Sequence, residues 1–139
     1  MKIRLQGGLL YVPVQLSFRG RELALDDVIL DTGSAASVLS ADAVLPTGLV
    51  PEPLDRLRRI RGVGGVEFVF TKRLDRLAIG ELEASDFEVE VGALDYGFAV
   101  DGILGVDFLL QVSALIDLGA LDLRRAQARR NRSGPQTDS

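Results

Sequence analysis

Few kinds of residue in this chain can do acid–base or nucleophilic chemistry. The 139 residues include no histidine and no cysteine. That absence removes Ser-His-Asp triads, Cys-His pairs, disulfides and His-containing zinc sites together. Hydrolytic chemistry then has to come from carboxylates, Lys, Tyr, Ser, Thr or backbone groups. Carboxylates are plentiful, with 13 Asp and 7 Glu. One of them stands out by its setting. In VILDTGSAASVLS, Val28 to Ser40, an apolar run ends on Asp31, and Thr32, Gly33 and Ser34 follow. A carboxylate closing a buried-strand pattern is either a turn or helix-cap aspartate or a group held in place for chemistry.

The elements that must hold such a residue are mostly strands. In LLYVPVQLSF, Leu10, Val12, Val14, Leu16 and Phe18 share one face, the period of a half-buried strand. Pro13 cannot donate to a ladder and marks an edge or a bulge. Arg19 to Arg21 reads as a turn, and ELALDDVIL returns as a second strand. Its continuous Val28-Ile29-Leu30 run suits cover on both faces. A short strand is predicted over Ser37–Ser40, with Ser40 capping a brief helix through Asp42 to Leu45. LPTGLVPEP holds three of the five prolines and reads as a surface connection.

LRRIRGVGGVEFVF reads as two extended arms about Gly62, Gly64 and Gly65, a hairpin in which Val66, Phe68 and Phe70 alternate with Glu67, Val69 and Thr71. A turn at Ile79-Gly80-Glu81 leads into a strand with Phe87, Val89 and Val91 inward. Its other face, Asp86, Glu88 and Glu90, is predicted to be a solvated edge that discourages further pairing. ALDYGFAVDG is a loop in which Asp101 reads as a turn residue. ILGVDFLLQ passes Gly105 into a short helix with Asp107 on its surface, and SALIDLGALDLR closes with two short strands. Many strands at roughly 8–12-residue spacing, with little helix, predict an all-β barrel or sandwich.

The length suits one domain, which at this size buries about 68–70% of its unfolded surface. The net charge of −4 does not suggest a nucleic-acid partner. The N-terminal stretch MKIRLQGGLLYVPVQ begins basic, but Gln6, Gly7, Gly8 and Pro13 break its apolar run, which makes a poor signal peptide. No apolar segment approaches bilayer-spanning length. The chain therefore reads as soluble and cytoplasmic, with no membrane partner. Residues 124–139 differ in kind, with five Arg against one Asp and almost nothing apolar. They read as a basic tail outside a domain of residues 1–123, either a disordered solvated end or an electrostatic arm for an acidic partner.

A hydrophobic strand followed by Asp31-Thr32-Gly33-Ser34 resembles the active-site loop of aspartic proteases. A second stretch, VDGILGVDFL from Val100 to Leu109, resembles that family's second signature, in which two apolar residues and a glycine, here Ile103, Leu104 and Gly105, precede a short helix. Between them lies IRGVGGVEF, where the family places its flap. The order is kept across roughly residues 9 to 123. It is close to the single-domain, retropepsin-like enzymes of bacteria. The viral members usually carry Arg and Asn or Asp after the second glycine, where this chain has Val106 and Asp107.

The resemblance implies an all-β, retropepsin-like closed β-barrel or sandwich with one short C-terminal helix. It also implies an aspartic endopeptidase with no metal and no cofactor. Amide hydrolysis of this kind needs a base to activate water and an acid to protonate the leaving nitrogen. Two carboxylates about 3 Å apart share one proton and do both jobs. One Asp-Thr-Gly per chain therefore implies a homodimer with Asp31 of each copy meeting on the two-fold axis. Thr32 would bond across the dimer, the Gly33 amide would sit near the carboxylate, and Ser34 would hydrogen-bond its outer oxygen. Ile103, Leu104 and Gly105 would pack under the loop. Ile60, Gly62, Val63, Gly64, Gly65 and Val66 would form a flap closing over a peptide or protein substrate, through mostly apolar pockets. GVGG equally fits an ordinary hairpin turn. The same fold would also serve as a non-catalytic peptide-binding or dimerisation module, or as a protease limited to processing itself.

Overall fold

Two tight turns begin the fold. Gly7 and Gly8 are both left-handed (φ 58° and 78°) and fold β1 (Arg4–Gln6) back on β2 (Leu9–Phe18). Arg19 and Gly20 (φ 48° and 81°) do the same between β2 and β3 (Arg21–Leu30). Two consecutive left-handed residues match the right-handed twist of paired strands. The computed structural model in which these elements appear describes residues 1–62, 65–94 and 98–127, with backbone alone at 60–62 and 65–67. The predicted flap residues Val63 and Gly64 lie outside the described residues, as do 128–139 of the tail.

After β3 come β4 (Val38–Ser40), the helix α1 (Ala41–Val44) and a 3-10 turn at Leu45–Thr47. Ser40 is extended, and its Oγ accepts from the Ala43 N–H at 3.4 Å, the capping role its position suggested. The connection that follows is less superficial than its prolines imply, because Thr47 and Leu49 are buried. The rest of the chain is β5 (Leu57–Gly62), β6 (Gly65–Ile79), β7 (Leu82–Gly92), β8 (Gly102–Leu104), α2 (Val106–Gln111), β9 (Ala114–Asp117) and β10 (Asp122–Arg125). No helix among the described residues is long and apolar enough to cross a membrane.

The main sheet closes on itself. Its order is β1-β2-β3-β8-β4-β7-β6-β5, and β2 also pairs with β6 through Gln15–Ala78, Leu16–Leu77 and Ser17–Arg76. Strands β2, β3, β8, β4, β7 and β6 therefore form a ring, which removes most free edges. Its interior is filled by Val12, Val14, Leu16 and Phe18 from β2, Val28 and Leu30 from β3, and Phe87, Val89 and Val91 from β7. Phe108 of α2 closes it, edge-on to Phe87 with centroids 5.7 Å apart. Pro13 sits at a register shift between Val12 and Val14, so it marks a bulge. All three of Val28, Ile29 and Leu30 are buried, because Ile29 packs outward with Tyr11 and Val100 in a second small cluster.

Three expectations change. Alternation fails in β6, where adjacent Val69 and Phe70 are both buried while Phe68 is exposed. The reason is Gly92 on the far side of the pair: a Cβ there would stand 2.7 Å from Val69 Cγ1, so a missing side chain makes the room. The acidic face of β7 is not simply a solvated edge. Glu90 lies in the stretch paired with β4 and is buried in an ion pair, although Glu88 and Asp86 do face outward. β10 runs through Arg125, two residues past 123, and Arg124 pairs with Asp122 and Asp117.

Candidate active site

Asp31 follows the last residue of β3 directly. Strands β3 and β8 are parallel, in register from Val28–Gly102 to Leu30–Leu104, and β8 lies antiparallel to β4 on its other side. The chain thus leaves β3, crosses the end of β8 through residues 31–37 and returns as β4. This loop is pinned at both ends by backbone bonds. Asp31 N–H donates to Leu104 O at 2.9 Å, and Val106 N–H donates to Ser34 O at 2.9 Å. Within it, the Gly33 N–H donates to Asp31 Oδ1 at 2.9 Å, and the Ser34 N–H donates to the Asp31 carbonyl at 3.1 Å. Asp31 is half-buried and Thr32 and Gly33 are exposed, so the carboxylate is held yet reachable.

The two signature stretches, some seventy residues apart, touch without a gap. Ile103, Leu104 and Gly105 are all buried beneath the loop. A Cβ on Gly105 would lie 2.6 Å from Ser34 O and 2.8 Å from the Ala36 carbonyl, so no other residue fits. One side chain then ties the pieces together. Ser37 is fully buried. Its Oγ accepts from Gly105 N–H at 3.0 Å and donates to Asp107 Oδ1 at 2.8 Å, while its own N–H donates to Asp107 Oδ2 at 3.0 Å. Asp107 also takes the Phe108 N–H at 2.8 Å.

Asp107 was expected on the helix surface and is instead the anchor between helix and loop. Sequence reasoning missed Ser37 altogether. The available signal was an acidic residue in the first turn of a helix that follows a glycine; its partner could not be named without the fold. Ser34 is also corrected. Its hydroxyl donates to Ala36 O at 2.7 Å, so it braces the turn rather than the carboxylate. Asp101 accepts from the Asp27 N–H at 3.0 Å. It stands beside β3 four residues back from Asp31, about 13 Å at roughly 3.3 Å per strand residue.

A cleft of about 570 Å³ opens beside the loop. Ser34 to Val38 form one wall and Arg56, Leu57 and Arg58 the other, with Val89 and Glu90 between them. Its character is mixed where apolar pockets were expected. Arg58 makes a two-pronged bond to Glu90, 2.6 Å on each arm, and Arg56 reaches Glu88 at 2.5 Å. The Glu90 carboxylate holds the Arg58 guanidinium above its usual pKa. The wall that carries these arginines belongs to the β5–β6 hairpin, so the predicted Ile60, Gly62, Gly65 and Val66 lie farther along the same two strands. There Ile60 pairs with Glu67, Arg61 with Val66 and Gly62 with Gly65.

Fold and loop together define a class: an all-β barrel with an Asp-Thr-Gly loop laid across a buried Ile-Leu-Gly strand. A family model described as aspartyl protease matches residues 14–108. The chain belongs to that family. Among solved structures it is similar to a retropepsin-like aspartic protease from Rickettsia conorii, with a TM-score of 0.61 and 20% identity, over 84% of this chain and 92% of that one. That likeness shows a retropepsin-like fold. No curated protein matches the sequence significantly.

Proposed function

We propose that the protein is an aspartic endopeptidase whose active form is a homodimer, with Asp31 of each copy supplying half of a shared-proton pair. One observation carries this reading. Asp31 projects from an interlocked loop in an aspartyl-protease family member, with Oδ1 on the Gly33 amide and no partner for Oδ2 among the described residues. A single carboxylate cannot be base and acid at once, and Asp101, the obvious second carboxylate within the chain, is engaged with Asp27 far along β3. A second Asp31 supplies what is lacking. In the pair, one carboxylate draws a proton from water, and the other gives its proton to the leaving nitrogen. Thr32 would bond across the dimer. The β5–β6 hairpin would act as the flap, and an extended peptide would lie beneath it by backbone pairing. The adjoining cleft would take a substrate side chain against Val38, Leu57 and Val89, with the Arg58–Glu90 pair at its polar end.

The test is cleavage of an unfolded protein at mildly acidic pH, followed by mass spectrometry. Asp31→Asn keeps shape and hydrogen-bonding reach but cannot exchange a proton. It should lose at least about 10²-fold in rate with an unchanged circular dichroism spectrum. Equal cleavage by a folded Asp31→Asn protein would remove the protease reading.

A further inference from the structure

The cleft beside the Asp31 loop carries two pairs of opposite charges, and each pair shows solvent its positive member. On β7, Glu88 and Glu90 stand two residues apart and so share one face of the sheet. Arg56, just before β5, and Arg58 within it are spaced in the same way. β6 runs between those strands, with Thr71 opposed to Glu90, and both arginines reach across it to the carboxylates.

Burial sorts the charges. The Glu90 side chain is 9% exposed against 58% for Arg58, and Glu88 is 42% exposed against 74% for Arg56. A carboxylate as deep as Glu90 is costly unless its oxygens are paired, and Arg58 takes both of them through Nε and Nη2. A guanidinium holds five N–H donors in one plane. Two are spent on Glu90, and the other three have no partner among the described residues. Nη1 and the second Nη2 proton form another fork at the far end of the plane, the geometry that receives a further carboxylate. The facing wall offers little competition. The Ser34 and Ser37 hydroxyls donate to Ala36 O and Asp107, and Asp107 already accepts three donors. The Glu88 oxygen left over could attract a cation, but Arg56 already meets that charge at 2.5 Å.

We propose that this cleft selects an acidic side chain of the substrate, with Arg58 as the specificity-determining residue. Glu90 fixes the guanidinium, the substrate carboxylate docks on its open fork, and Arg56 adds positive charge at the rim. Val38, Leu57 and Val89 give the methylenes of a glutamate an apolar wall. Ser34 lines the cleft three residues from Asp31, so the acidic residue lies close to the bond that is cut. The inference rests on the protease reading, because it names the substrate class of that same site.

Digestion of an unfolded protein mixture at about pH 5.5, above the usual glutamate pKa of about 4.3, supplies a cut peptide. That peptide is remade with Glu, Gln or Lys at each flanking position in turn. At one position kcat/KM should be at least about tenfold higher with Glu than with Gln, because charge-assisted bonds replace neutral ones. Lys should be poorest there. Arg58→Gln alone would strand Glu90, so it is combined with Glu90→Gln to leave a neutral pair; the Glu-to-Gln ratio should collapse to within about twofold. Arg58→Lys keeps the buried ion pair but has no second fork, and its ratio should fall at least about threefold. Suppose the wild type cuts through Asp31 yet favours Glu at no position, favours Lys, or keeps its ratio in both variants. The acidic selectivity is then overturned and the protease reading stands. A wild type that cuts no peptide overturns the protease reading and this inference with it.

Discussion

At Ser37 a single hydroxyl serves two neighbours, accepting from Gly105 and donating to Asp107. The Asp107 carboxylate is acceptor-only and takes three donors: Ser37 N–H and Oγ–H, and the Phe108 N–H. An asparagine of the same shape must turn an NH₂ toward one of them. Asp107→Asn should therefore cost about 1–3 kcal/mol, the range for leaving a buried polar group unsatisfied. A urea melt checks this. A change within about 0.5 kcal/mol, the usual size for an uninvolved surface substitution, would return Asp107 to the helix surface. Because the anchored loop carries Asp31, the variant should also lose activity at temperatures where it remains folded.

At the level of elements, the loop and β8 depend on a contact without side chains. Gly105→Ala would push a methyl to 2.6 Å from Ser34 O, and the opposing atoms are backbone held at both ends of the loop. The cost should lie near the top of the overpacking range, about 3 kcal/mol. With a urea m-value of roughly 1–3 kcal/mol/M, the unfolding midpoint should fall by about 1–3 M. An unshifted midpoint would mean the loop can move off β8, and the proposed carboxylate geometry would lose its rigid base. The two glycine-bearing stretches and their order were legible from residue types, since short polar or glycine-rich interruptions in apolar runs mark turns and close approaches. That they interlock through Ser37 was not, because a serine in a small-residue loop looks the same whether or not a distant carboxylate meets it.

For the whole molecule, one contributor to acid stability is Glu52. Glu52 accepts two hydrogen bonds from Arg19, at 3.1 and 2.8 Å, and one from the buried ammonium of Lys72. The Arg19 bonds, then the Lys72 bond, hold its carboxyl at about 2, below the usual 4.5. A carboxylate depressed on folding binds fewer protons in the native state. Its contribution is complete above about pH 4.5 and is lost as pH falls toward 2. The fold therefore keeps this support in the mildly acidic range where a carboxylate pair would work. Melting temperature should fall between pH 4.5 and 2 in the wild type. In Glu52→Gln it should start lower at pH 7 and fall less steeply across the same window. Parallel curves for the two proteins would show that Glu52 is not the titrating link.

The sequence by itself narrowed the chemistry open to the chain, since without histidine or cysteine only carboxylates, Lys, Tyr, Ser, Thr and backbone groups are left. It determined most strands as well, because β2, β3 and β7 carry apolar periods that only a half-buried or doubly covered strand explains. It also placed Asp31, Gly33 and the Ile103-Leu104-Gly105 stretch, where residue type and local pattern coincide. Only the tertiary structure decided which polar groups meet. Ser34 turned to Ala36, Asp107 to Ser37, Glu90 to Arg58 and Lys72 to Glu52. Ring closure through β2 and β6, and the N-terminus laid on β10, were likewise invisible from residue types. The physical reason is common to all. Apolar burial is written as a period along the chain. A hydrogen bond between distant groups depends on where two segments arrive in space, and no local pattern records that.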